Sequence, residues 1–456
     1  MKATKILIFI LSVIALLAVL CSFFPREGVH IGPLSLEFPS VTDILAGAEE
    51  EEGESPEELL ERRLAAIEEA ERSSFLEYFT TDPARFYFPD DDIEVFDKLF
   101  EAFDSAAYQR VRVVHYGDSQ IEEDRVSNTI RAFLQEKWGG GGAGLIPLRE
   151  KYYSLSVSET ATVEPTRYLV FGPSESRAGH RRYGPAGQIY HIDTTVTMSV
   201  FPLKSNVYPS RYFNRVTVIA DGTKPLYANL KGDKRSLKPS GALHHVSFAV
   251  PDSSTRVSLT LSGSTDVYGI LLDCDTGISL DNVAMKGCSG TIFTSIDSAQ
   301  LKDYYTNENV RLIILQYGGN TVPYLKDAKG ISNYRKSIEK QINYLRELAP
   351  EATFVFIGPS DMSTNIQGKM KTYPHLPSIV DSLKAASNAA GAVFWDMYGA
   401  MGGEDSMDKW VHASPALAGR DYVHFTPLGA QKMGEIFCKS LSLYYDYYKW
   451  RQDNDE

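Results

Sequence analysis

The sequence predicts an α/β protein. A doubly wound, parallel, five-stranded sheet in three layers carries an inserted all-β sandwich or jelly roll, and an N-terminal transmembrane helix precedes it. Three observations predict this. Short β-branched apolar runs alternate with helix-period segments on both sides of the middle of the chain. From about residue 152 to 266 that periodicity disappears, and short runs rich in Val, Thr, Tyr and Ser are separated by Gly, Pro, Asn and Asp. Near the start, residues 6–24 form an unbroken apolar run long enough to span a bilayer.

Lys2 and Lys5 precede that run, so the positive side is expected to stay in the cytoplasm and the rest to be exported. No Ala-x-Ala follows, and Leu20 precedes Cys21 where a lipidated Cys follows a small residue, so a retained anchor over 1–28 is expected rather than cleavage. Residues 29–88 read as an acidic juxtamembrane spacer. Its Glu-dense part, 49–71, carries Leu59, Leu60, Leu64 and Ile67 at near-helical spacing.

Residues 89–103 carry Val95, Phe96, Leu99 and Phe103 at helical spacing. The run Val111, Val113, Val114 reads as a buried strand that stops at Gly117-Asp118-Ser119. Residues 121–137 read as the next helix, with Ile121, Val126, Ile130, Phe133 and Leu134 on one face. A glycine-rich loop, 139–144, leads to the inserted β-domain, 151–266. The sheet is expected to resume with a strand at 267–273, then strands at 311–316, 352–357 and 392–396. Helices fit at 334–348, 376–390 and 428–444. The α/β domain is therefore discontinuous, 89–150 and 267–450.

Composition narrows the function. All 456 residues allow two domains and a large core, and the net charge of −13 disfavours nucleic acid as a partner. With Cys21 in the anchor, Cys274 and Cys288 are a possible bridge. There is no Cys-x-x-Cys and no His-rich spacing, so neither a metal nor a cofactor is expected.

The turn at Ser119 places a hydroxyl at the carboxyl end of a strand, with helix-start N–H groups nearby. Ester cleavage by Ser also needs a base, a group that orients the base, and donors for the oxyanion. Two remote stretches supply candidates. Residues 312–320 form an apolar strand ending in Gly318-Gly319-Asn320. Asp421 stands three residues before His424, and Thr426 and Pro427 read as N-cap and first position of the last helix. In a loop, that spacing lets the carboxylate reach Nδ1 while Nε2 faces Ser119.

Together these blocks resemble the SGNH, or GDSL, hydrolase superfamily. The resemblance implies a flavodoxin-like sheet with Ser119 as nucleophile, His424 as base and Asp421 orienting it. The oxyanion donors it implies are the Ser119 N–H, the Gly287 N–H and the Asn320 amide. Gly287 is chosen because Asp281-Asn282 looks like the family's second block; Gly290 is its rival. Gln120 departs from the pattern, which has Leu there. The inserted β-domain resembles that of some bacterial peptidoglycan O-acetylesterases. The implied activity is removal of O-acetyl groups from a cell-envelope polysaccharide, peptidoglycan first, by an enzyme tethered to the bacterial inner membrane with its catalytic domain on the periplasmic side. Two other readings stand beside it: a polysaccharide O-acetyltransferase working with a membrane acyl-transfer partner, and a glycan-binding protein on an inactive scaffold.

Weaker candidates have blander readings. His412 with Asp408 lacks a following Pro-capped helix, and Asp361 follows a strand and reads as a turn residue. His180-Arg181-Arg182-Tyr183 reads as a solvated loop. Tyr152, Tyr153, Tyr168, Tyr183, Tyr190 and Tyr212 offer faces for sugars, but aromatics also pack strands.

Overall fold

The computed structural model describes residues 3–23, 29–31, 34–36, 56–149, 154–203 and 210–454. The chain divides into two compact units, Met1–Ser74 and Phe75–Glu456. In the first, Ala3–Phe23 is a helix and Val29–Ile31 pairs antiparallel with Leu34–Leu36. Among the described residues no helix is long and apolar enough to cross a membrane, so the expected transmembrane helix over 1–28 is not carried by them. Residues 49–55 of the acidic stretch lie outside the described residues, as do Tyr152 and Tyr153.

In the second unit six strands form one sheet: β1 (Phe86–Tyr87), β2 (Arg110–Gly117), β3 (Gly277–Ala284), β4 (Val310–Gln316), β5 (Thr353–Ile357) and β6 (Val393–Trp395). Their spatial order is β3-β2-β4-β5-β6-β1. All neighbours are parallel except β1, which pairs antiparallel with β6. Successive residues of each strand point to opposite faces, and both faces are covered. Ile313, Leu315, Phe354 and Phe356 lie in one core with residues of helices Ser298–Asn307, Ala328–Leu348 and Leu376–Ala389. Leu312, Ile314, Val355 and Ile357 lie in the other with helices Asp97–Asp104, Ser127–Trp138 and Pro427–Asp453. Three layers follow from a sheet that is apolar on both sides.

The parallel strands number five, as expected, but one is not the expected one. Val267–Asp273 lies in an antiparallel strand, Thr265–Asp273, and the edge of the parallel sheet is β3. Both runs are nearly wholly buried, and burial alone does not say which sheet a strand joins. Three local expectations also change. Residues 89–96 form two 3-10 turns before the helix Asp97–Asp104. The helix after Ser119 begins only at Ser127, because Glu123 and Asp124 take left-handed φ values of +64° each. The end of the supposed spacer is core: Phe79 stacks on Tyr444 at 4.1 Å, and β1 lies within 29–88.

Two antiparallel sheets lie in sequence between Ser127–Trp138 and β3. One orders Thr166–Leu169, Gln188–Ile192, Thr265–Asp273, Phe213–Ala220 and His244–Ser254, with Gly144–Ile146 added to Thr265–Asp273. The other orders Val157–Ala161, Val196–Pro202, Val257–Ser262, Leu226–Leu230 and Asp233–Leu237. They share one apolar core, with Met198, Val200, Leu259 and Leu261 from one and Val216, Val218, Ile270 and Leu272 from the other.

A buried ionic cluster ties these sheets to the parallel one. Arg112 on β2 is fully buried and donates to Asp281 at 2.6 Å, to Asp273 at 2.5 Å and to Glu308 at 3.2 Å. Tyr304 donates to the second oxygen of Asp281, 2.6 Å, and the Leu145 N–H to the first, 2.9 Å. Burying a guanidinium is tolerable only when its charge is met in this way.

Candidate active site

The parallel strands, counted along the chain, lie in the order 2-1-3-4-5. The strand order therefore reverses between β2 and β4, and their carboxyl ends open a crevice there. Ser119 follows β2 and Asn320 follows β4. Gly117 permits the turn, because a Cβ there would stand 2.8 Å from Ile121 Cδ1 and 3.2 Å from the Gln316 carbonyl.

Ser119 Oγ is 2.8 Å from His424 Nε2, and His424 Nδ1 is 2.7 Å from Asp421 Oδ2. The carboxylate sets the tautomer: Nδ1–H donates to Asp421, which leaves Nε2 to accept the Ser119 proton. The other Asp421 oxygen accepts the Val423 and His424 N–H groups, both at 3.1 Å. Burial pushes the Asp421 pKa up, but the bond from His424 and these two N–H groups outweigh it and hold it below the usual value. Thr426 caps the last helix by accepting from the Gly429 N–H, and Pro427 occupies its first turn.

Two residues the sequence did not single out for this purpose bracket His424. Gln120 Nε2 donates to the Val423 carbonyl at 2.8 Å, and Arg125 Nη1 to the Phe425 carbonyl at 3.1 Å. Arg125 Nη2 also donates to the Ser119 carbonyl, 3.1 Å. The departure at Gln120 was visible in the sequence; what it reaches was not.

Asn320 is engaged. Its Nδ2 donates to Asp118 Oδ2 at 3.0 Å and to the Cys288 carbonyl at 3.1 Å, so both amide hydrogens have acceptors. Burial raises the Asp118 pKa to about 6, against the lowering effects of the Gln120 N–H, His424 and Asn320. Gly287 has φ +79° and open space where a Cβ would lie, in the same loop as Cys288. Gly290 is buried, and a Cβ there would stand 2.8 Å from the Tyr317 ring.

Asp281 belongs to the ionic cluster. Asn282 serves the layer beneath the site: its Nδ2 donates to the Ile121 carbonyl, 3.2 Å, and its Oδ1 accepts from Ser127, 3.0 Å. His115, hydrogen-bonded to Ser127 and Gln316, is kept neutral by burial, with its pKa lowered to about 3.

Cys274 and Cys288 are free, so the bridge entertained for them is absent. Asp361 accepts from the Met407 N–H, 2.7 Å, and Thr372, 2.8 Å, and braces that turn. His412 is exposed and, among the described residues, bonds only within its own turn, to the Asp408 carbonyl at 2.9 Å. Among the described residues no cluster of His, Cys, Asp and Glu could hold a metal ion.

The fold supports the resemblance to SGNH or GDSL hydrolases. A solved structure of a peptidoglycan O-acetylesterase matches it with a TM-score of 0.62 and 19% identity, covering 80% of this chain and 99% of that one. A family two carbohydrate esterase from Cellvibrio japonicus aligns at 12% identity over 64% of this chain and 99% of that chain, with a TM-score of only 0.26. A GDSL-like lipase from Parabacteroides merdae aligns at 16% identity over 36% and 74%, with 0.27. No protein-family model and no curated protein matches the sequence.

Proposed function

We propose that this protein is a serine esterase that removes O-acetyl groups from a polysaccharide, peptidoglycan first among them. The observation that carries the reading is the hydrogen-bonded line Ser119–His424–Asp421 at the switch point of the sheet. The fold shared with a peptidoglycan O-acetylesterase supports the choice of substrate.

In this reading Ser119 Oγ attacks the acetyl carbonyl as its proton passes to His424 Nε2, and Asp421 steadies the imidazolium. His424 then returns the proton to the departing sugar oxygen, leaving acetyl-Ser119. Water attacks that ester, losing a proton to Nε2, which passes it to Ser119 Oγ as the acyl–oxygen bond breaks and acetate leaves. The oxyanion would be met by the Ser119 and Gly287 N–H groups and the Asn320 amide, which must release one of its two present acceptors.

The test is acetate release from O-acetylated peptidoglycan, with acetylated xylan and p-nitrophenyl acetate as comparisons. Release from peptidoglycan that vanishes in Ser119→Ala supports the reading. Transfer of the acetyl group to added chito-oligosaccharide in place of acetate release overturns it in favour of an acetyltransferase. The apolar run of residues 6–24 in the sequence, with Lys2 and Lys5 before it, supports export. Recovery of the full-length protein in the soluble cytoplasmic fraction would remove that part.

A further inference from the structure

A cavity of about 520 Å³ opens on the first antiparallel sheet, lined by Arg177, Arg182 and Lys224, by the imidazoles of His180 and His191, and by Tyr168. In a chain of net charge −13 such a concentration calls for a reason. Two buried carboxylates form its floor, and each is spent on aiming a donor. Asp266 accepts from His191 Nδ1 at 2.7 Å and from His180 Nε2 at 3.1 Å. Asp221 accepts from Arg182 Nε at 3.1 Å and from Thr223 through both its N–H and its hydroxyl.

With Nε and Nδ1 so engaged, the outer nitrogens remain. Among the described residues nothing accepts from the Arg182 Nη groups or from Lys224 Nζ, and nothing meets His191 Nε2. The loop that carries His180 and Arg182 is pinned. The Asp297 N–H donates to the Arg181 carbonyl at 2.9 Å, the Tyr268 hydroxyl to the Arg182 carbonyl at 3.3 Å, and the Gly184 N–H to Gln300 at 3.0 Å. Donors held in place before a ligand arrives lose little freedom on binding it.

We propose that this cavity binds the anionic group of a saccharide, a carboxylate or a phosphate. Arg182 meets the oxyanion with its two Nη groups. Lys224 and Arg177 add charge, His191 Nε2 adds a polar contact, and the Tyr168 ring offers a flat face to the sugar. The site is independent of the serine chemistry.

Isothermal titration of the intact protein with glucuronic acid, glucose 1-phosphate, inorganic phosphate and glucose tests it. Saturable binding of a charged sugar, tighter than inorganic phosphate and absent with glucose, is expected; which sugar binds distinguishes carboxylate from phosphate. Arg182→Gln should weaken that binding roughly tenfold or more, the loss of a charge-assisted fork. Lys224→Gln, at an exposed position, should weaken it less and decides the matter if Arg182→Gln fails to fold. Equal binding of glucose, no binding of either charged sugar, binding of inorganic phosphate alone, or unchanged affinity in the folded variants would each overturn the proposal.

Discussion

Arg125 reaches across the crevice to Phe425: its Nη1 donates to that carbonyl at 3.1 Å while its Nη2 holds the carbonyl of Ser119 at the same distance. One rigid guanidinium thus fixes the serine turn against the loop that presents His424. Arg125→Gln should lower kcat for an aryl acetate roughly ten- to hundredfold with little change in KM, because an error of about 1 Å in such a pair is worth that much. Arg125→Lys keeps the charge but not the fork and should recover only part. A KM effect with unchanged kcat would assign Arg125 to substrate binding instead.

Ser119→Ala should remove all but a residual activity, a fall of about a thousandfold or more, while thermal unfolding stays where it was. His424→Ala should fall by a similar factor, and the double variant no further, since the two act as one unit.

Asn320→Ala should cost about a hundredfold in kcat if its amide meets the oxyanion. Calorimetry adds a second reading of the same region. Burial lifts the Asp118 pKa to about 6 in the folded protein, so the fold holds this proton more tightly than the unfolded chain does. The stability it contributes is present below about pH 4 and is lost as pH rises through about 6. Asp118→Asn should therefore flatten the dependence of Tm on pH across that window.

Glu308 has the opposite sign. Burial pushes its pKa up, but His245, Arg112 and Arg110 overcome this and hold it at about 2. Its contribution is present above about pH 4.5 and is lost as pH falls towards 2. Glu308→Gln should lower Tm at neutral pH and lessen the acid-induced drop, as scans between these limits will show.

Much of the site was legible because its signals are local. A strand ending in Gly117-Asp118-Ser119, and an Asp three residues before His424 ahead of a Thr-Pro helix start, each need only a few neighbours to be read. What stayed hidden depends on distant partners. Residues 267–273 and 277–284 are both buried runs, and only pairing decides that one joins an antiparallel sheet and the other the parallel one. The left-handed turn at Glu123 and Asp124 delays a helix that periodicity starts early. Asp124 faces Arg131 at 2.7 Å and 3.0 Å, an ion pair that needs the turn. Gln120 stood out only as a departure from the family pattern and Arg125 as an ordinary polar residue, since the carbonyls they hold lie about three hundred positions away.

The guanidinium at the heart of the parallel sheet makes excision hazardous. Arg112 draws part of its compensation from Asp273, on a strand of the antiparallel sheets. A shortened protein that kept β2 but dropped residues 144–273 would retain that cation with one carboxylate fewer beside it. Breaking a sealed pair in this way costs about 3–5 kcal/mol, a large share of what holds an ordinary domain folded. The two halves of the unit should accordingly melt in one step.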